Sequence, residues 1–317
     1  MLTSHDFKPT REGFGEGLRE AGKKQLNLVA LGADITGSVA MNLFAETYPD
    51  RFFSFGIAEQ NIAGVAAGLA LSGKIPVFST YGVFSAMRDL DQVRISICYN
   101  NVHVIIGGAH AGISVGPDGA THQALEDIAT MRVLPNMTVL SPCDATQTRI
   151  ATIRAVKDFR SPVYIRFGRE AVPDFTTKEQ DFIPGKAQVL KEGNDIALFA
   201  TGHMVWESIK AAESLDNDHN VDAAVLNFHT IKPIDVGSIE KYARQCGCIL
   251  TAEEHQVAGG FGSAVAEKVV QTHPVPMHIL GINDCFGESG QPAELMEKYG
   301  LNAKHITKQA LKLLSYD

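Results

Sequence analysis

The sequence lacks three features that would place the protein in a membrane, outside the cell or on a nucleic acid. No run of about 18 apolar residues occurs, so the sequence predicts no transmembrane helix. Residues 1–8 have no apolar core and do not resemble a signal peptide, so we expect a cytoplasmic protein. The 28 lysines and arginines are outnumbered by 36 aspartates and glutamates, and the net charge of -8 gives no reason to expect nucleic acid as a partner.

Cysteine is also scarce, with 5 residues in a chain of 317. An odd number of cysteines without a secretory signal indicates reduced thiols. The spacing of Cys246 and Cys248 is too short for the usual zinc-binding pair, and no second pair of this kind occurs. The sequence therefore predicts that the cysteines are structural and that the chain has no metal site of its own.

Short apolar runs alternate with helical patterns along the chain. Through residue 167 this alternation predicts a doubly wound, mostly parallel sheet. Residues 170–194 are polar and contain prolines, which is typical of an interdomain linker, and a second α/β pattern with few convergent polar groups follows. We therefore predict two mainly parallel α/β domains, of which the second serves for packing, with these boundaries: 1–175, a linker at 176–187, and 188–317.

One carboxylate, Glu59, lies between a short aromatic run at 51–55 and a run of small residues at 62–71. The first run predicts a strand, and the second predicts a helix that is packed closely on all sides. Open α/β sheets bind ligands at the ends of their strands, so Glu59 is a candidate site residue. On these residues alone, an ordinary first-turn acid stabilised by the helix dipole is the favoured interpretation. Likewise, the helical spacing of Tyr81 and Phe84 is more typical of a core face than of a ligand pocket.

A long irregular segment at 109–123 combines several glycines with His110, Asp118 and His122. Loops of this kind at strand ends are usually functional or disordered, and the hydrophobic flanks argue against disorder. Each residue also has a structural interpretation: His122 could start a helix, and Asp118 could belong to a Pro-Asp-Gly turn. Their occurrence together in one loop favours a site.

Taken together, these motifs resemble the transketolase family of thiamine-diphosphate enzymes. The sequence Gly-Ile-Ala-Glu-Gln-Asn at 56–61 resembles the signature of the pyrimidine-binding domain, and 116–123 resembles the substrate loop. Further similar segments are 79–81, 88–92, 230–235 and 253–262. The family holds the diphosphate and a divalent metal through a Gly-Asp-Gly stretch in a separate domain, and this sequence contains no Gly-Asp-Gly. The chain therefore resembles the C-terminal half of a split transketolase, with a pyrimidine-binding and a C-terminal domain.

The resemblance implies roles for individual residues. Glu59 would hydrogen-bond the pyrimidine nitrogen of thiamine diphosphate, and Tyr81, where the family favours Phe, would stack on that ring together with Phe84. The implied catalytic residues are Glu59 and His122. The implied cofactor-binding residues are Glu59, Tyr81, Phe84, Asp34 and Arg88. The implied substrate-binding residues are Arg11, Ser38, His110, Asp118, His122 and Arg169.

The resemblance also implies partners. We expect an N-terminal transketolase subunit that holds the diphosphate with Mg²⁺ or Ca²⁺, an α2β2 assembly, and sugar-phosphate substrates of the pentose phosphate pathway, with neither a membrane nor a nucleic acid as partner. The expected reaction moves a two-carbon ketol unit from a ketose phosphate to an aldose phosphate.

Several alternatives remain open at this point. The chain could be half of a deoxyxylulose-phosphate-synthase-like enzyme, a 2-oxoacid dehydrogenase beta subunit, or a transketolase for a branched or sulfonated ketose. The substrate loop and the phosphate-binding set favour a ketose phosphate, although deoxyxylulose-phosphate synthases share much of that loop. A non-catalytic scaffold is a further alternative, against which the presence of Glu59, His110, Asp118 and His122 argues.

Overall fold

The computed structural model describes residues 6–177 and 182–315. The strands of its N-terminal half are β1 (Phe7–Pro9), β2 (Leu28–Gly32), β3 (Phe52–Ser54), β4 (Ile75–Tyr81), β5 (Ile105–Ala109), β6 (Thr138–Leu140), β7 (Val163–Arg166) and β8 (Ala171–Pro173). The helices of this half are α1 (Thr10–Lys24), α2 (Asn42–Thr47), α3 (Glu59–Leu71), α4 (Leu90–Gln92), α5 (Asp127–Val133) and α6 (Ala145–Asp158). Tighter and wider helical turns occur at Pro49–Arg51, Phe84–Arg88, Val93–Tyr99 and Ile113–Asp118.

The C-terminal half repeats the alternation of strands and helices. Its strands are β9 (Gln188–Lys191), β10 (Ile196–Ala200), β11 (Ala223–Asn227), β12 (Thr230–Lys232), β13 (Ile249–Gln256) and β14 (Met277–Ile282). Its helices are α7 (Met204–His219), α8 (Val236–Cys246), α9 (Phe261–Thr272), α10 (Pro292–Lys298) and α11 (Ala303–Leu314).

The strands form two main sheets, ordered β12-β6-β7-β5-β4-β2-β3 and β14-β13-β10-β11-β9. In each sheet only the edge strand β12 or β9 runs antiparallel to its neighbour. Inner strands such as β2 and β5 are buried along their whole length, as parallel strands covered on both faces are. The predicted mainly parallel α/β fold class is confirmed.

Two segments, the predicted linker region and strand β12, differ from the expectation of a simple linker between two separate sheets. Within the polar stretch 170–194, β8 pairs with β1 and β9 pairs with β11, because partner strands distant in the chain supply the hydrogen bonds. Strand β12, from the C-terminal half, pairs with β6 in the first sheet. Of the predicted linker 176–187, residues 178–181 lie outside the described residues, as do 1–5 and 316–317 at the predicted domain ends.

Helix α1 explains the glycine spacing near the N-terminus. A Cβ added at Gly13 would lie 2.0 Å from the carbonyl oxygen of Ala145, and one added at Gly17 would lie 2.6 Å from that of Arg149. Both carbonyls belong to α6, so these glycines let the two helices approach closely. This close approach explains why glycines recur within the helix Thr10–Lys24.

Helix α3 differs from the expected helix that is packed on all sides. Ala63 and Ala66 are buried against the sheet, whereas Gly68 and Leu71 are exposed. In this single chain, one face of α3 therefore remains open. Within residues 6–177 and 182–315, no helix combines the length and apolar character needed to span a membrane.

Candidate active site

Most of the predicted site residues lie at one edge of the first sheet. Tyr81 ends β4, while Asp34, His110 and Arg169 follow β2, β5 and β7. Because these strands are parallel, their carboxyl ends meet at the same edge, where open α/β sheets bind ligands. The fold thus brings together side chains that are far apart in the sequence.

Glu59 begins α3 and is held by a residue from another helical segment. Its side chain is only 6% exposed, and Arg88 Nη1 donates a 2.6 Å hydrogen bond to its Oε1. The guanidinium carbon of Arg88 also lies 4.0 Å from the ring centroid of Phe84. A buried carboxylate, an aromatic face and a planar cation therefore meet at one point.

Four rings surround the place where β4 ends. Tyr81 makes edge-to-face contacts with His110 and His122, with centroid distances of 4.6 Å and 5.0 Å. Phe84 contacts His122 at 5.5 Å and Tyr81 at 5.8 Å. The aromatic pair at helical spacing thus lines the candidate site instead of an apolar core. His122 lies ahead of α5 rather than at its start, which is Asp127.

Asp118 joins the loop to the sheet edge. The Tyr81 hydroxyl donates to its Oδ2 over 3.2 Å, and Arg169 Nη1 donates to its Oδ1 over 2.9 Å. Burial raises the pKa of Tyr81, and the nearby charge of Asp118 raises it further. Tyr81 therefore acts here as a hydrogen-bond donor and not as a phenolate.

Arg11 and His110 converge on the backbone at Ser38. Arg11 Nη1 and His110 Nε2 each donate to the Ser38 carbonyl oxygen over 3.0 Å. Burial lowers the pKa of His110 to about 4, so the ring is neutral near pH 7 and its Nδ1 is unprotonated. That Nδ1 is buried and has no hydrogen-bond partner among the described residues, which leaves one acceptor for a ligand. The hydroxyl-bearing Ser38 and the carboxylate of Asp34 are exposed at this edge.

Asp89 is a buried acid that the sequence did not single out. It is 0% exposed, and neither carboxylate oxygen has a hydrogen-bond partner among the described residues. Burial raises its pKa to about 7, Glu59 raises it as well, and Arg88 lowers it. The sequence around Asp89, with Arg88 before it and an apolar residue after it, contains no periodic pattern that predicts burial. The burial of Asp89 is therefore evident only in the folded structure.

Comparison with known proteins agrees with this geometry. Residues 8–174 match the model described as "Transketolase, pyrimidine binding domain", and residues 185–306 match "Transketolase, C-terminal domain". The chain belongs to the transketolase family. The family predicted from the sequence motifs is confirmed.

Two curated relatives and one solved structure show how far the similarity extends. The chain is 41% identical over 310 residues to a putative transketolase C-terminal section of Methanocaldococcus jannaschii, covering 96% of both. It is 40% identical over 300 residues to a 6-deoxy-6-sulfo-D-fructose transketolase subunit of Clostridium sp. (strain MSTE9), covering 95% of this chain and 92% of the relative. A structure described as the inactive beta4 tetramer of a split-gene transketolase is 45% identical, has a TM-score of 0.91, and covers 97% of this chain and 98% of that one. This transketolase chain therefore corresponds to the C-terminal section of a split enzyme.

The transketolase C-terminal domain does more than pack, which corrects the expectation of few convergent polar groups. Glu254 from β13 accepts a hydrogen bond from the backbone amide of Ser114 in the irregular segment 109–123, and its Oε2 lies 3.5 Å from His203 Nδ1. A Cβ at Gly112 would lie 2.3 Å from the Glu254 carboxylate, so only glycine fits there. Gln123 Nε2 donates to the Glu288 carbonyl oxygen over 2.9 Å. The second domain thus holds the loop that carries Asp118.

A second buried network links β7, α5 and the C-terminal domain. Arg166 Nε donates to Asp127 Oδ2 over 3.0 Å, and the Tyr164 hydroxyl donates to the same oxygen over 2.8 Å. Arg166 Nη2 also donates to the Glu254 carbonyl oxygen over 2.8 Å. The sequence missed this network because a lone Arg in an apolar strand has no local partner.

The glycine run at 259–262 has a structural role. Glu253 accepts hydrogen bonds from the backbone amides of Phe261 over 2.6 Å and Gly262 over 2.8 Å, and so satisfies the start of α9. Burial raises the pKa of this carboxyl to about 8. The glycine run thus forms the turn that starts α9, with Gly260 immediately before its first residue. Within the described ranges, no group of three or more His, Cys, Asp or Glu residues is arranged to hold a metal ion.

Proposed function

We propose that this chain is the C-terminal subunit of a two-chain transketolase that moves a two-carbon ketol unit from a ketose phosphate to an aldose phosphate. The observation that carries the proposal is the buried carboxylate of Glu59 beside the ring of Phe84, at the same sheet edge as Arg11 and Arg169. An acid, an aromatic face and two cations suit a heteroaromatic cofactor next to a phosphorylated substrate.

The residues present fit one end of thiamine diphosphate. Glu59 would hold a proton shared with a ring nitrogen, Phe84 and Tyr81 would contact the pyrimidine face, and Asp34 and Arg88 would lie nearby. The position of the Arg88 guanidinium supports this fit, because this planar cation bonds Glu59 and covers the ring of Phe84. A protonated aminopyrimidine is also flat and also donates hydrogen bonds. When bound, the cofactor supplies the carbanion chemistry, and the protein contributes orientation and proton positions.

The substrate end of the site has its own set of residues. Arg11, Ser38, His110 and Arg169 would bind the phosphate, and Asp118 and His122 would contact the sugar hydroxyls. In the free chain Arg169 is paired with Asp118, so a phosphate would draw the guanidinium away and release a carboxylate oxygen for a sugar hydroxyl. The neutral His110 would accept a hydrogen bond at Nδ1.

A partner chain would complete the enzyme. The sequence contains no Gly-Asp-Gly, so we propose that an N-terminal subunit supplies the diphosphate site with its Mg²⁺ or Ca²⁺. The open face of α3, where a Cβ at Gly64 or Gly68 would meet nothing within 4 Å, supports a closely packed subunit interface next to Glu59. We further propose a symmetric α2β2 assembly, because two copies of each chain meet most simply about a two-fold axis. Our proposal also takes this enzyme to work in the cytoplasm and to serve carbohydrate metabolism such as the pentose phosphate pathway.

Reconstitution tests the proposal. The purified chain with thiamine diphosphate and Mg²⁺ is expected to be inactive, and the addition of the companion chain is expected to produce ketol transfer. The matched negative control is the same mixture with Glu59→Gln. Full activity of this chain alone, or no activity of the complete mixture over a broad set of ketose phosphates, would contradict the proposal.

A second candidate is a transketolase for an unusual ketose. It is favoured by the 40% identity to a subunit named for 6-deoxy-6-sulfo-D-fructose. A sulfonate is tetrahedral and anionic like a phosphate but carries a single charge, so two arginines suit either group. The ratio of kcat/KM for sulfofructose and fructose 6-phosphate, measured with one enzyme preparation, decides between the two donors. A deoxyxylulose-phosphate-synthase-like reaction would instead require pyruvate as donor, which the same assay includes.

A further inference from the structure

Arg88 occupies an unusual position for a cofactor-binding residue. Its Nη1 lies 2.6 Å from Glu59 Oε1, and its guanidinium carbon lies 4.0 Å from the centroid of Phe84. These are the two groups that the proposed function assigns to the pyrimidine ring. A ring that is hydrogen-bonded to Glu59 and stacked on this face of Phe84 would need the space that the guanidinium fills.

The guanidinium matches that space in shape and in hydrogen bonding. It is planar, it presents several N–H donors in one plane, and it binds both carboxylates and aromatic faces. In the single chain 43% of the Arg88 side chain is exposed, which gives the guanidinium an open path away from Glu59. Its backbone is held separately, because Gln60 Nε2 donates to the Arg88 carbonyl oxygen over 3.0 Å. The side chain can therefore move while the main chain stays in place.

We propose that Arg88 is a place-holder in the pyrimidine seat, which is defined as the space between Glu59 and Phe84. In the chain without cofactor the guanidinium fills this seat, and it swings outward before the pyrimidine ring enters. Arg88 thereby lowers the affinity for the cofactor and keeps the buried Glu59 paired until the cofactor arrives. This inference rests on the proposed function, and it replaces the cofactor contact that the family resemblance assigns to Arg88.

The size of the effect follows from competition for the seat. If the seat is free in only a fraction of molecules, the apparent Kd of the cofactor rises by the inverse of that fraction. A seat that is free about one time in ten weakens binding about tenfold. Removal of the guanidinium is therefore expected to tighten cofactor binding by about this factor.

Calorimetry on the reconstituted two-chain assembly tests the proposal. The Kd of thiamine diphosphate with Mg²⁺ is measured for the wild type, Arg88→Ala and Arg88→Lys. We expect Arg88→Ala to bind about tenfold more tightly. Arg88→Lys, which keeps the charge but loses the planar fork, should lie between the two. Arg94→Ala, at an exposed position in the helical segment Val93–Tyr99, is the matched control and should leave the Kd unchanged.

The outcomes separate this inference from the function on which it rests. If the wild type binds the cofactor and transfers ketol units but Arg88→Ala binds equally or more weakly, the place-holder is wrong and the proposed function stands. If no variant binds the cofactor, both proposals fail. Titration of the single chain with thiamine covers the case in which Arg88→Ala does not assemble with its companion. There, Arg88→Ala should bind thiamine measurably more tightly than the wild type, and equal binding overturns the inference.

Discussion

Replacing Asp89 with asparagine is expected to change how the stability of the chain depends on pH. Asp89 is 0% exposed, its carboxylate oxygens have no hydrogen-bond partner within the described ranges, and Glu59 is close enough to raise its pKa. Asparagine has nearly the same shape but carries no charge at any pH. The substitution therefore removes the cost of ionising a buried acid while keeping the packing.

The magnitude follows from the pKa of Asp89, which burial raises from 3.8 to about 7 in the folded chain. Between about pH 4 and pH 7 the folded state holds a proton that the unfolded state has released, so the stability of the wild type falls as pH rises through this window. This rise in the pKa corresponds to a loss of stability of about 4 kcal/mol above pH 7. The free energy of unfolding of Asp89→Asn, relative to wild type, should rise by up to about this amount from pH 4 to pH 8.

Urea denaturation at several pH values and one protein concentration measures this difference. Asp91→Asn is the matched control, because Asp91 is two residues away and exposed, and its difference from the wild type should stay flat with pH. A constant difference between Asp89→Asn and the wild type from pH 4 to pH 8 would show that Asp89 does not carry the raised pKa.

Three further substitutions test the site and the buried network. Glu59→Gln should leave the urea midpoint within experimental error but remove nearly all turnover; retention of more than about a tenth of the activity, a loss under about 1.4 kcal/mol, would exclude a catalytic carboxylate. Arg169→Ala should raise KM for phosphorylated ketoses by the equivalent of about 1.5–3 kcal/mol, with little change for an unphosphorylated two-carbon donor; equal effects on both donors would refute phosphate binding. Arg166→Leu should lower the free energy of unfolding by about 3–5 kcal/mol, because Asp127 is left as an unpaired buried charge, and adding Asp127→Asn should recover part of that loss. If the double variant is no more stable than Arg166→Leu, the ion pair does not explain the loss.

Much of the architecture was already present in local sequence patterns. The apolar run of β2 and the small residues after Glu59 define a strand and a helix through their own composition. The transketolase motifs allow site residues to be predicted from the sequence, because each motif is contiguous in the chain. These patterns involve residues only a few positions apart, so they can be recognised without knowledge of the tertiary structure.

Other features depend on which elements meet in space, and only the tertiary structure decides them. Arg88 and Glu59 are 29 positions apart, and nothing local to either residue indicates a 2.6 Å contact. The burial of Asp89 and the hydrogen bond between Glu254 and the backbone of Ser114 likewise depend on how helices and domains pack. Strand β12 lies within the predicted second domain in the sequence, but in the structure it pairs with β6 of the first sheet. The residues of a strand do not identify its partner, because the pairing is set by the topology of the whole chain. Sequence pattern determines which elements form, and packing determines which of their polar groups are buried, paired or left without a partner.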